Sequence, residues 1–360
     1  MAISAEVLND ALQELAPRYQ NLFETWSPVM SKIVKNGNIE RSRLRGPFKE
    51  FRVITGGPGD VTQIVDGGER LAATRADITA KGSTYASRLI YSFLVPDKDM
   101  AEATGPADVE HLIKQYPEAA LMDFHQRITK QFVNGNGSGC GGFLTLNGDK
   151  TYSPQGDART GAFQFAAKGS QTDTVFGLAK EGATSGATTG WHNGYGKISS
   201  MASDGISKLR REYFRASRKG KLLGPVDLLM ADETSFSNYI DLLEDRIIVE
   251  DAVKGEAGVD DVQQGVKFLK ATMYIEDFLD TAQFTSGGAD NGVIYGLKTS
   301  TWHMYTLGSD DKMETKGDFS VRGPLRRPDM DAHQFEYVMY MGMYCDFLSA
   351  NFAVTGGNIA

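Results

Sequence analysis

A helical pattern of apolar residues that ends in a glycine-dense segment is the feature that most restricts the fold of this chain. Between residues 107 and 133, apolar side chains recur every three or four positions, as on one face of a helix. Pro117 interrupts the pattern, and proline is best tolerated at the first position of a helix. We therefore predict a short helix ending near Tyr116 and a long helix over residues 117–133, which at about 1.5 Å per residue spans roughly 25 Å.

The glycine-dense segment QFVNGNGSGCGGFL, residues 131–144, contains the spacing Gly137-x-Gly139-x-x-Gly142 of dinucleotide-binding loops. Such a loop lies between a strand and a helix, whereas here a helix is predicted before it. Gly135 occupies the position of a helix C-cap glycine, and Gly137 and Gly142 are hinge glycines that turn the chain toward GFLTL. The segment therefore predicts a chain reversal, and a nucleotide-binding α/β enzyme is only a distant alternative.

Residues 47–96 have a different pattern, with β-branched and aromatic residues in partial period-two alternation broken by GGPGD and DGGER. Tyr85, Tyr91 and Phe93 fall on one side of this alternation, together with Ser87 and Leu89. The pattern predicts a long antiparallel ribbon. Because isolated two-stranded ribbons are marginally stable in water, we expect the ribbon to rest on another subunit, with the three aromatic residues as inter-subunit contacts.

The first 46 residues form a predicted arm. It starts as an amphipathic helix that ends at Pro17, and a basic stretch with few apolar residues follows. Such a stretch is not expected to fold independently, so Arg41, Arg43 and Arg45 are candidate contacts with other subunits.

Residues 198–244 predict an α/β lobe. ISSMASDGISKLRREYF has helical apolar spacing, PVDLLMADE is typical of a buried strand, and FSNYIDLLEDR predicts a helix capped by Asp232 or Thr234. Strand-like runs continue to the C-terminus, where FEYVMYMGMYCDFL predicts a central strand pair. The fold class is therefore α+β.

Two charge clusters stand out on a chain whose net charge of -8 argues against a dedicated nucleic-acid binder. Residues 208–221 carry seven bases against Glu212, whereas the charged residues within 241–261 are all acidic apart from Arg246 and Lys254. Two solvated faces would explain this pattern. We favour the hypothesis that the clusters are complementary when copies pack head to tail in a ring. The candidate contact residues are Arg210, Arg211, Asp241, Glu244 and Asp245.

Neither enzyme chemistry nor a bound cofactor is expected from the sequence. The five histidines lack metal-ligand spacing, and Cys140 and Cys345 are isolated, which fits synthesis in a reducing compartment. P-loop and nucleophile-elbow patterns are absent from the sequence. We also expect neither a signal peptide nor a membrane span.

The order of these parts resembles the major capsid protein of tailed bacteriophages, which has the Hong Kong 97 fold. FVNGNGSGCGGFL after YPEAALMDFHQRITKQF is similar to the family's spine helix and the turn after it. Many members continue that helix with an apolar pair, Asn-Gly-x-Gly-Ser/Thr and then Gly-Ile/Phe-Leu. SKLRREYFRAS followed by PVDLLMADETSFSNYIDLLED is similar to the helix, strand and helix of the apical lobe.

The resemblance implies an N-terminal arm (1–46), an extended loop or β-ribbon (47–96), a peripheral domain (97–190) with spine helix 117–133, an apical domain (191–330) and C-terminal strands returning to the peripheral domain (331–360). It implies a structural protein of the virion, made and assembled in the bacterial host cytoplasm as hexamers and pentamers of an icosahedral head. The implied partners are further copies, a portal protein, a scaffolding protein, a decoration protein and weakly held double-stranded DNA, with no membrane.

Two departures from the family pattern matter. No long charged coiled-coil segment precedes the arm, so we expect no internal scaffold unless it has been cleaved off. Lys49, Lys81 and Asn351 are present, but no acidic residue follows Asn351, so the lysine–asparagine crosslink of some members is not carried over. The alternatives are an encapsulin, which is a bacterial compartment of the same fold, and a phage tail or decoration protein.

Overall fold

The computed structural model describes residues 28–35, 39–42, 48–54, 79–102, 116–134, 142–146, 164–165, 174–180, 191–220, 223–244, 265–276, 279, 292–307, 319–326 and 330–356. The helices in these ranges are α1 (Pro28–Lys35), α2 (Asp97–Glu102), α3 (Tyr116–Asn134), α4 (Ile206–Lys219) and α5 (Glu233–Glu244). The strands are β1 (Ile39–Ser42), β2 (Phe48–Ile54), β3 (Thr79–Tyr85), β4 (Ser87–Pro96), β5 (Gln164–Phe165), β6 (Thr174–Val175), β7 (Leu178–Ala179), β8 (Gly194–Lys197), β9 (Leu228–Ala231), β10 (Val266–Phe268), β11 (Ala271–Ile275), β12 (Val293–Leu297), β13 (Trp302–Leu307), β14 (Phe319–Arg326), β15 (Ala332–Cys345) and β16 (Phe352–Thr355).

The long strand β15 is the centre of a five-stranded sheet. β4 runs antiparallel along one of its edges, and β14 and β13 pair with successive parts of the strand. β1 then adds to β13 in parallel. The terminal apolar run was predicted as a pair of strands, and this is corrected. It is one strand, Ala332–Cys345, because its pairing partners β4, β13 and β14 all lie outside the run.

The long helix α3 packs on this sheet and confirms the helix predicted over residues 117–133. Ala120, Phe124, Ile128 and Phe132 are buried at the predicted spacing of four residues. The Phe124 ring lies 6.1 Å from the rings of Tyr91 on β4 and Tyr337 on β15. The apolar stripe of the helix therefore covers the middle of the sheet.

A second sheet has seven strands in the order β10-β11-β9-β12-β16-β8-β5. Along β9, Leu229 and Ala231 face a core that includes side chains of α4 and α5, whereas Leu228 and Met230 face the core shared with α3 and the first sheet. Because both faces are covered, β9 is an uninterrupted apolar run, as expected for a strand buried on two sides.

The helix after β9 begins where the sequence predicts. The Asp232 carboxylate accepts a hydrogen bond of 3.2 Å from the backbone N–H of Ser235, which is the expected geometry of an N-cap. The amphipathic helix before β9 is also confirmed, and a single π-helical turn, Met201–Gly205, precedes α4.

The sheets divide the chain differently from the expected domain boundaries. β13 and β14, expected in the apical domain 191–330, belong to the five-stranded sheet. β16, expected with the peripheral domain, and β5, within 97–190, belong to the seven-stranded sheet. The chain thus passes between these two sheets three times, between β4 and β5, after β12 and after β15. Sheet membership depends on pairing between distant segments, which local patterns do not encode.

The interpretation of residues 47–96 as one ribbon is also corrected. β2 and β3 form an antiparallel ribbon from the pair Phe48 and Tyr85 to the pair Ile54 and Thr79. After Ala86, β4 leaves this ribbon and pairs with β15 along its whole length. The predicted alternation along β4 is confirmed, with Phe93 and Val95 buried between exposed neighbours. Residues 55–78, which the sequence assigns to the ribbon, lie outside the described residues, as do residues 1–27.

Candidate assembly interface

The base of the β2–β3 ribbon is attached to its own subunit. The Phe51 ring stacks on Tyr344 of β15 with centroids 4.4 Å apart, and its edge meets Phe176 at 5.8 Å. Phe176 lies in the turn between β6 and β7, and its carbonyl accepts a hydrogen bond of 2.7 Å from the backbone N–H of Ser83. The described part of the ribbon therefore rests on its own chain, whereas we had expected it to rest on another subunit.

The base of the ribbon is also stabilised by the close approach of the Phe51 ring to the backbone of β3. A Cβ atom on Gly82 would lie 2.7 Å from the Phe51 ring, which covers this glycine from the paired strand. Because a side chain at residue 82 would displace the ring, glycine is required for the stacking of Phe51 on Tyr344.

Lys49, two residues before Phe51, places its ammonium over the same aromatic surface. The Nζ atom lies 5.1 Å from the Tyr344 centroid and 5.7 Å from that of Tyr305. Burial lowers the pKa of Lys49 and raises the pKa of Tyr344 to about 12. Tyr344 is therefore a neutral phenol near pH 7, and its ring face attracts the cation.

The three aromatic residues predicted as inter-subunit contacts have different environments. Tyr85 at the end of β3 is 53% exposed. Tyr91 is partly buried under the Arg127 guanidinium, which lies 5.3 Å from the centre of its ring. Burial is the main cause that raises the pKa of Tyr91, and its hydrogen bond to Asp123 is the second. Phe93 is buried in its own subunit, stacked on Phe335 at 5.6 Å. Tyr85 is the most exposed of the three, and Phe93 is corrected to a core residue.

Other predicted contact residues are only partly described. Arg41 lies on β1 in register with Thr306, whereas Arg43 and Arg45 lie outside the described residues. Among the hinge glycines, Gly135 and Gly137 lie outside them too, and Gly142 is buried just before the 3-10 turn Phe143–Leu146.

The context of the glycine-dense segment excludes the dinucleotide interpretation. α3 ends at Asn134, immediately before Gly135, so a helix precedes the glycines where a dinucleotide loop needs a strand. Beyond them, the Phe143 ring packs edge-on against Trp302 at 4.9 Å.

The charged candidates lie on the two helices that cover the second sheet. Arg210 is exposed and Arg211 partly exposed on α4, and Asp241 is exposed on α5. Glu244 is the last residue of α5, and Asp245 lies outside the described residues. The basic face of α4 is therefore accessible, which the ring hypothesis requires.

Asn351 lies buried between the passages after β12 and after β15, a structural role that the sequence does not indicate. Its Oδ1 accepts hydrogen bonds from the backbone N–H of Lys298 at 2.8 Å and from Trp302 Nε1 at 3.0 Å. Its Nδ2 donates to Thr301 Oγ1 at 3.1 Å and to the Phe347 carbonyl at 3.2 Å. One amide thus joins the passage after β12 to the passage after β15. Because the Asn351 side chain is wholly buried, it cannot reach a lysine of a neighbouring subunit.

Asp227 completes this junction from the strand side. Its carboxylate accepts hydrogen bonds from the backbone N–H and hydroxyl of Thr299 at 2.9 and 2.7 Å and faces Lys298 Nζ at 3.5 Å. Its carbonyl accepts a further bond of 2.9 Å from Lys32 Nζ on α1. The start of the described chain is therefore fixed to the passage after β12.

A second buried polar pair joins the turn after α3 to the second sheet. The Lys180 ammonium donates to Asn193 Oδ1 at 3.0 Å, and both residues are fully buried. Asn193 Nδ2 donates to the Leu146 carbonyl at 2.6 Å. Neither residue lies in a motif, so no sequence signal identifies the pair.

Glu212 is a buried carboxylate on α4. Desolvation raises its pKa to about 7, although the nearby Arg215 and Arg211 charges favour the ionised form. Oε1 accepts a hydrogen bond of 2.9 Å from Arg215, and Oε2 has no partner among the described residues. The pKa of this group therefore lies inside the physiological range.

The described residues contain no group of three histidine, cysteine or acidic side chains that could hold a metal ion. His303 with Asp346 and His333 with Asp97 form two separate pairs at 3.2 and 3.3 Å. None of the described helices is both long enough and apolar enough to cross a lipid bilayer.

The fold described above is that of subunits that build closed protein shells, the Hong Kong 97 fold. No protein-family model and no curated protein matches the sequence. Among solved structures, a chain of the cyanophage A-1(L) capsid matches with a TM-score of 0.53 and 9% identity, over 88% of this chain and 89% of that one.

Two further shell proteins have the same fold. A chain of the holo-SrpI encapsulin complex from Synechococcus elongatus matches with a TM-score of 0.50 and 8% identity, over 91% of this chain and 87% of that one. A chain of the capsid of a native GTA particle matches with a TM-score of 0.50 and 10% identity, over 90% and 89% of the two chains. At such low identities, these matches establish the fold alone.

Proposed function

We propose that this chain is the major capsid protein of a tailed double-stranded DNA bacteriophage, which assembles as hexamers and pentamers into an icosahedral head around the genome. The observation that carries the proposal is the match to the cyanophage A-1(L) capsid chain, which covers nearly nine tenths of both chains in one continuous fold. The spine helix and the turn predicted from FVNGNGSGCGGFL support the same assignment from the sequence side.

The ribbon suits a subunit of a shell that is held together by contacts between neighbouring subunits. Its base is fixed by Phe51 and Tyr344, and its described part is a sheet of two strands, to whose edge another chain can add a strand. Interfaces of about 1,600 Å² each gain much of their free energy from apolar burial, but ordering costs offset most of it. Such modest interfaces let a growing shell correct errors.

We propose the remaining partners and the location on the same basis. They are a portal protein, a scaffolding protein, a decoration protein and packaged DNA, in a virion assembled in the cytoplasm of a bacterial host. The contact with DNA is weak and non-specific because the net charge is -8, and on α3 Arg127 is already paired with Asp123 at 3.0 Å. The protein acts as a structural subunit and not as an enzyme.

The second candidate function is an encapsulin-type shell that encloses a cargo protein, favoured by the match to the SrpI encapsulin chain over 91% of this chain. The contents of purified particles separate the two functions. Packaged DNA supports the capsid, whereas a co-purifying cargo protein inside DNA-free shells supports the compartment.

Negative-stain electron microscopy of the purified chain tests shell formation itself. We expect closed shells or hexameric rings, with particle yield depending on salt and protein concentration. A monomer that persists at every salt and protein concentration tested would contradict both shell functions.

A further inference from the structure

An apolar cavity of about 540 Å³ opens on the lobe formed by α4 and the β10–β11 hairpin. Its walls include Tyr213 and Phe214 from α4, Pro225, and Leu269 and Lys270 from the hairpin turn. None of the residues assigned above to the ribbon or to the junction between the sheets lines this cavity.

Two large apolar side chains at the cavity are exposed. Phe214 and Leu269 each expose 50% of their surface, and both belong to its lining. Leu269 also has a backbone φ of 56°, in the left-handed region where residues other than glycine are uncommon. Glycine or asparagine suits this backbone conformation better, so leucine here places an exposed apolar side chain at the cavity in spite of the backbone preference.

The cavity is preformed. The Tyr213 hydroxyl donates to the Val226 carbonyl at 3.3 Å, and the Val226 N–H donates to Ser217 Oγ at 3.3 Å. The Tyr213 ring also meets Phe268 edge-on at 5.9 Å. Because these contacts fix its floor, a partner would bind without first ordering the site.

The rim of the cavity is basic. Lys270 lines it, and the same two elements carry further exposed cations, Arg218 and Lys219 on α4 and Lys267 on β10. Two nearby acids are already neutralised inside the subunit, since Glu212 pairs with Arg215 at 2.9 Å and Asp227 faces Lys298 at 3.5 Å. An occupant that matches the surface is therefore apolar in its centre and acidic at its ends.

The sequence of this chain contains such a segment. Residues 244–253, EDRIIVEDAV, place three consecutive aliphatic residues between two acidic pairs, in the most acidic stretch of the protein. We propose that this cavity is a docking surface for a second copy of this chain, which inserts the aliphatic residues of its 244–253 segment and pairs its acids with the basic rim. The proposal rests on the proposed shell function and names one contact within it.

Symmetry favours the 244–253 segment of a neighbouring copy, and not the subunit's own segment, as the occupant of the cavity. Rings form through heterologous interfaces, in which two different and complementary surfaces of one chain meet on neighbouring copies. A basic apolar cavity and an acidic aliphatic segment on the same chain are such a pair, and their charges fix the register of the contact.

Disulfide trapping tests the occupant directly. In a Cys140→Ser background we combine Leu269→Cys with Ile248→Cys and oxidise the assembled protein. The expected result is a ladder of covalent multimers on non-reducing gels, absent from each single-cysteine variant and from a variant that combines Ile248→Cys with Ile90→Cys on β4. A monomer with altered mobility would show that the segment occupies its own subunit's cavity, and this result or the absence of any crosslink overturns the proposal.

Substitution at the cavity provides an independent measurement. Phe214→Glu should raise the protein concentration needed for assembly about tenfold or more, as expected for a central apolar contact. Met122→Glu changes a side chain of similar exposure, 48%, on α3 and should leave that concentration unchanged. Equal assembly of wild type and Phe214→Glu overturns the docking surface while the shell function stands, whereas failure of the wild type to assemble counts against the shell function.

Discussion

The rings of Phe51 and Tyr344 stack 4.4 Å apart and join the ribbon to the central strand of the five-stranded sheet. β2 contributes Phe51, and β15 contributes Tyr344 close to its end. Because Tyr344 is held within a paired strand, it fixes the direction in which the ribbon leaves the subunit. A neighbour that binds the ribbon therefore meets it at a position set by the sheet.

Phe51→Ala should destabilise the subunit by about 3 kcal/mol, the usual cost of removing a buried aromatic ring and leaving a cavity. The ring is only 9% exposed, so nearly all of its contacts are internal. Urea unfolding measures the change, and Arg52→Ala, at an exposed position of the same strand, is the control. Equal stability of the two variants would contradict the role of the stack.

Replacing residues 56–77 by a short glycine-rich turn should leave a folded subunit that does not close shells. The β2–β3 pairing and the Phe51 stack remain intact in this variant, so only the tip is lost. Circular dichroism and thermal unfolding check the fold, and electron microscopy checks the shells. Normal shells from the variant would refute the assignment of the ribbon as an assembly element.

Asn351→Leu should cost about 3 kcal/mol or more, because it leaves the Lys298 N–H and the Trp302 indole N–H buried without their acceptor. Each unpaired buried donor costs about 1–3 kcal/mol. Asn238→Leu makes the same change at a partly exposed position of α5 and should cost at most about 1 kcal/mol. Denaturant unfolding compares the two, and a smaller loss for Asn351→Leu would mean that the junction tolerates rearrangement.

Glu212 should make the subunit less stable as the pH rises from about 5 to about 7. Its pKa is about 7 in the folded protein against 4.5 for an unperturbed carboxyl, so in this window the folded state binds more protons than the unfolded state. The free energy of unfolding therefore falls with rising pH, by roughly 3 kcal/mol in total. Above about pH 7 the contribution of Glu212 to the free energy of unfolding no longer changes with pH.

Glu212→Gln removes this titration. We expect the variant to match wild type near pH 5 and to exceed its stability near pH 8, with the difference between the two proteins isolating this one group. Glu233→Gln, at an exposed position on α5, is the control and should show no such divergence. Parallel stability curves for Glu212→Gln and wild type would contradict the shifted pKa.

Reversing Arg210 and Arg211 to Glu together should impair assembly into rings if the basic face of α4 meets an acidic face of a neighbour. Sedimentation velocity at low and moderate salt measures the loss, which should be largest at low salt. The exposed cations Lys98 on α2 and Arg326 on β14, reversed together, provide the control on other parts of the subunit. Unchanged assembly of the Arg210 and Arg211 variant would remove the ring hypothesis for these two residues.

Elements stabilised by local contacts were predictable from the sequence. The periodicity of Ala120, Phe124 and Ile128 defines α3, and the carboxylate of Asp232 caps α5. These features depend on residues a few positions apart. Tyr85, Tyr91 and Phe93, in contrast, share one alternating pattern, but only Tyr85 is largely exposed, because the chain changes sheets at Ala86.

The candidate surfaces were predictable only where they depend on residues close together in the sequence. The basic character of α4 is visible in the sequence, but the cavity between Phe214 and Leu269 exists only because β10 and β11 fold back beside the helix. The role of Asn351 at the junction gave no signal, because the groups that its amide joins are up to 53 residues away along the chain.

The sequence by itself determined the long helix, the capped helix after β9 and the α+β class, since periodicity, proline and capping residues act over short distances. The tertiary structure alone decided which sheet β13, β14 and β16 join, where the ribbon is anchored and which aromatic residues face solvent. Those outcomes depend on strand pairing and burial between segments far apart in the chain, and the free energy of such contacts is not encoded in any local pattern.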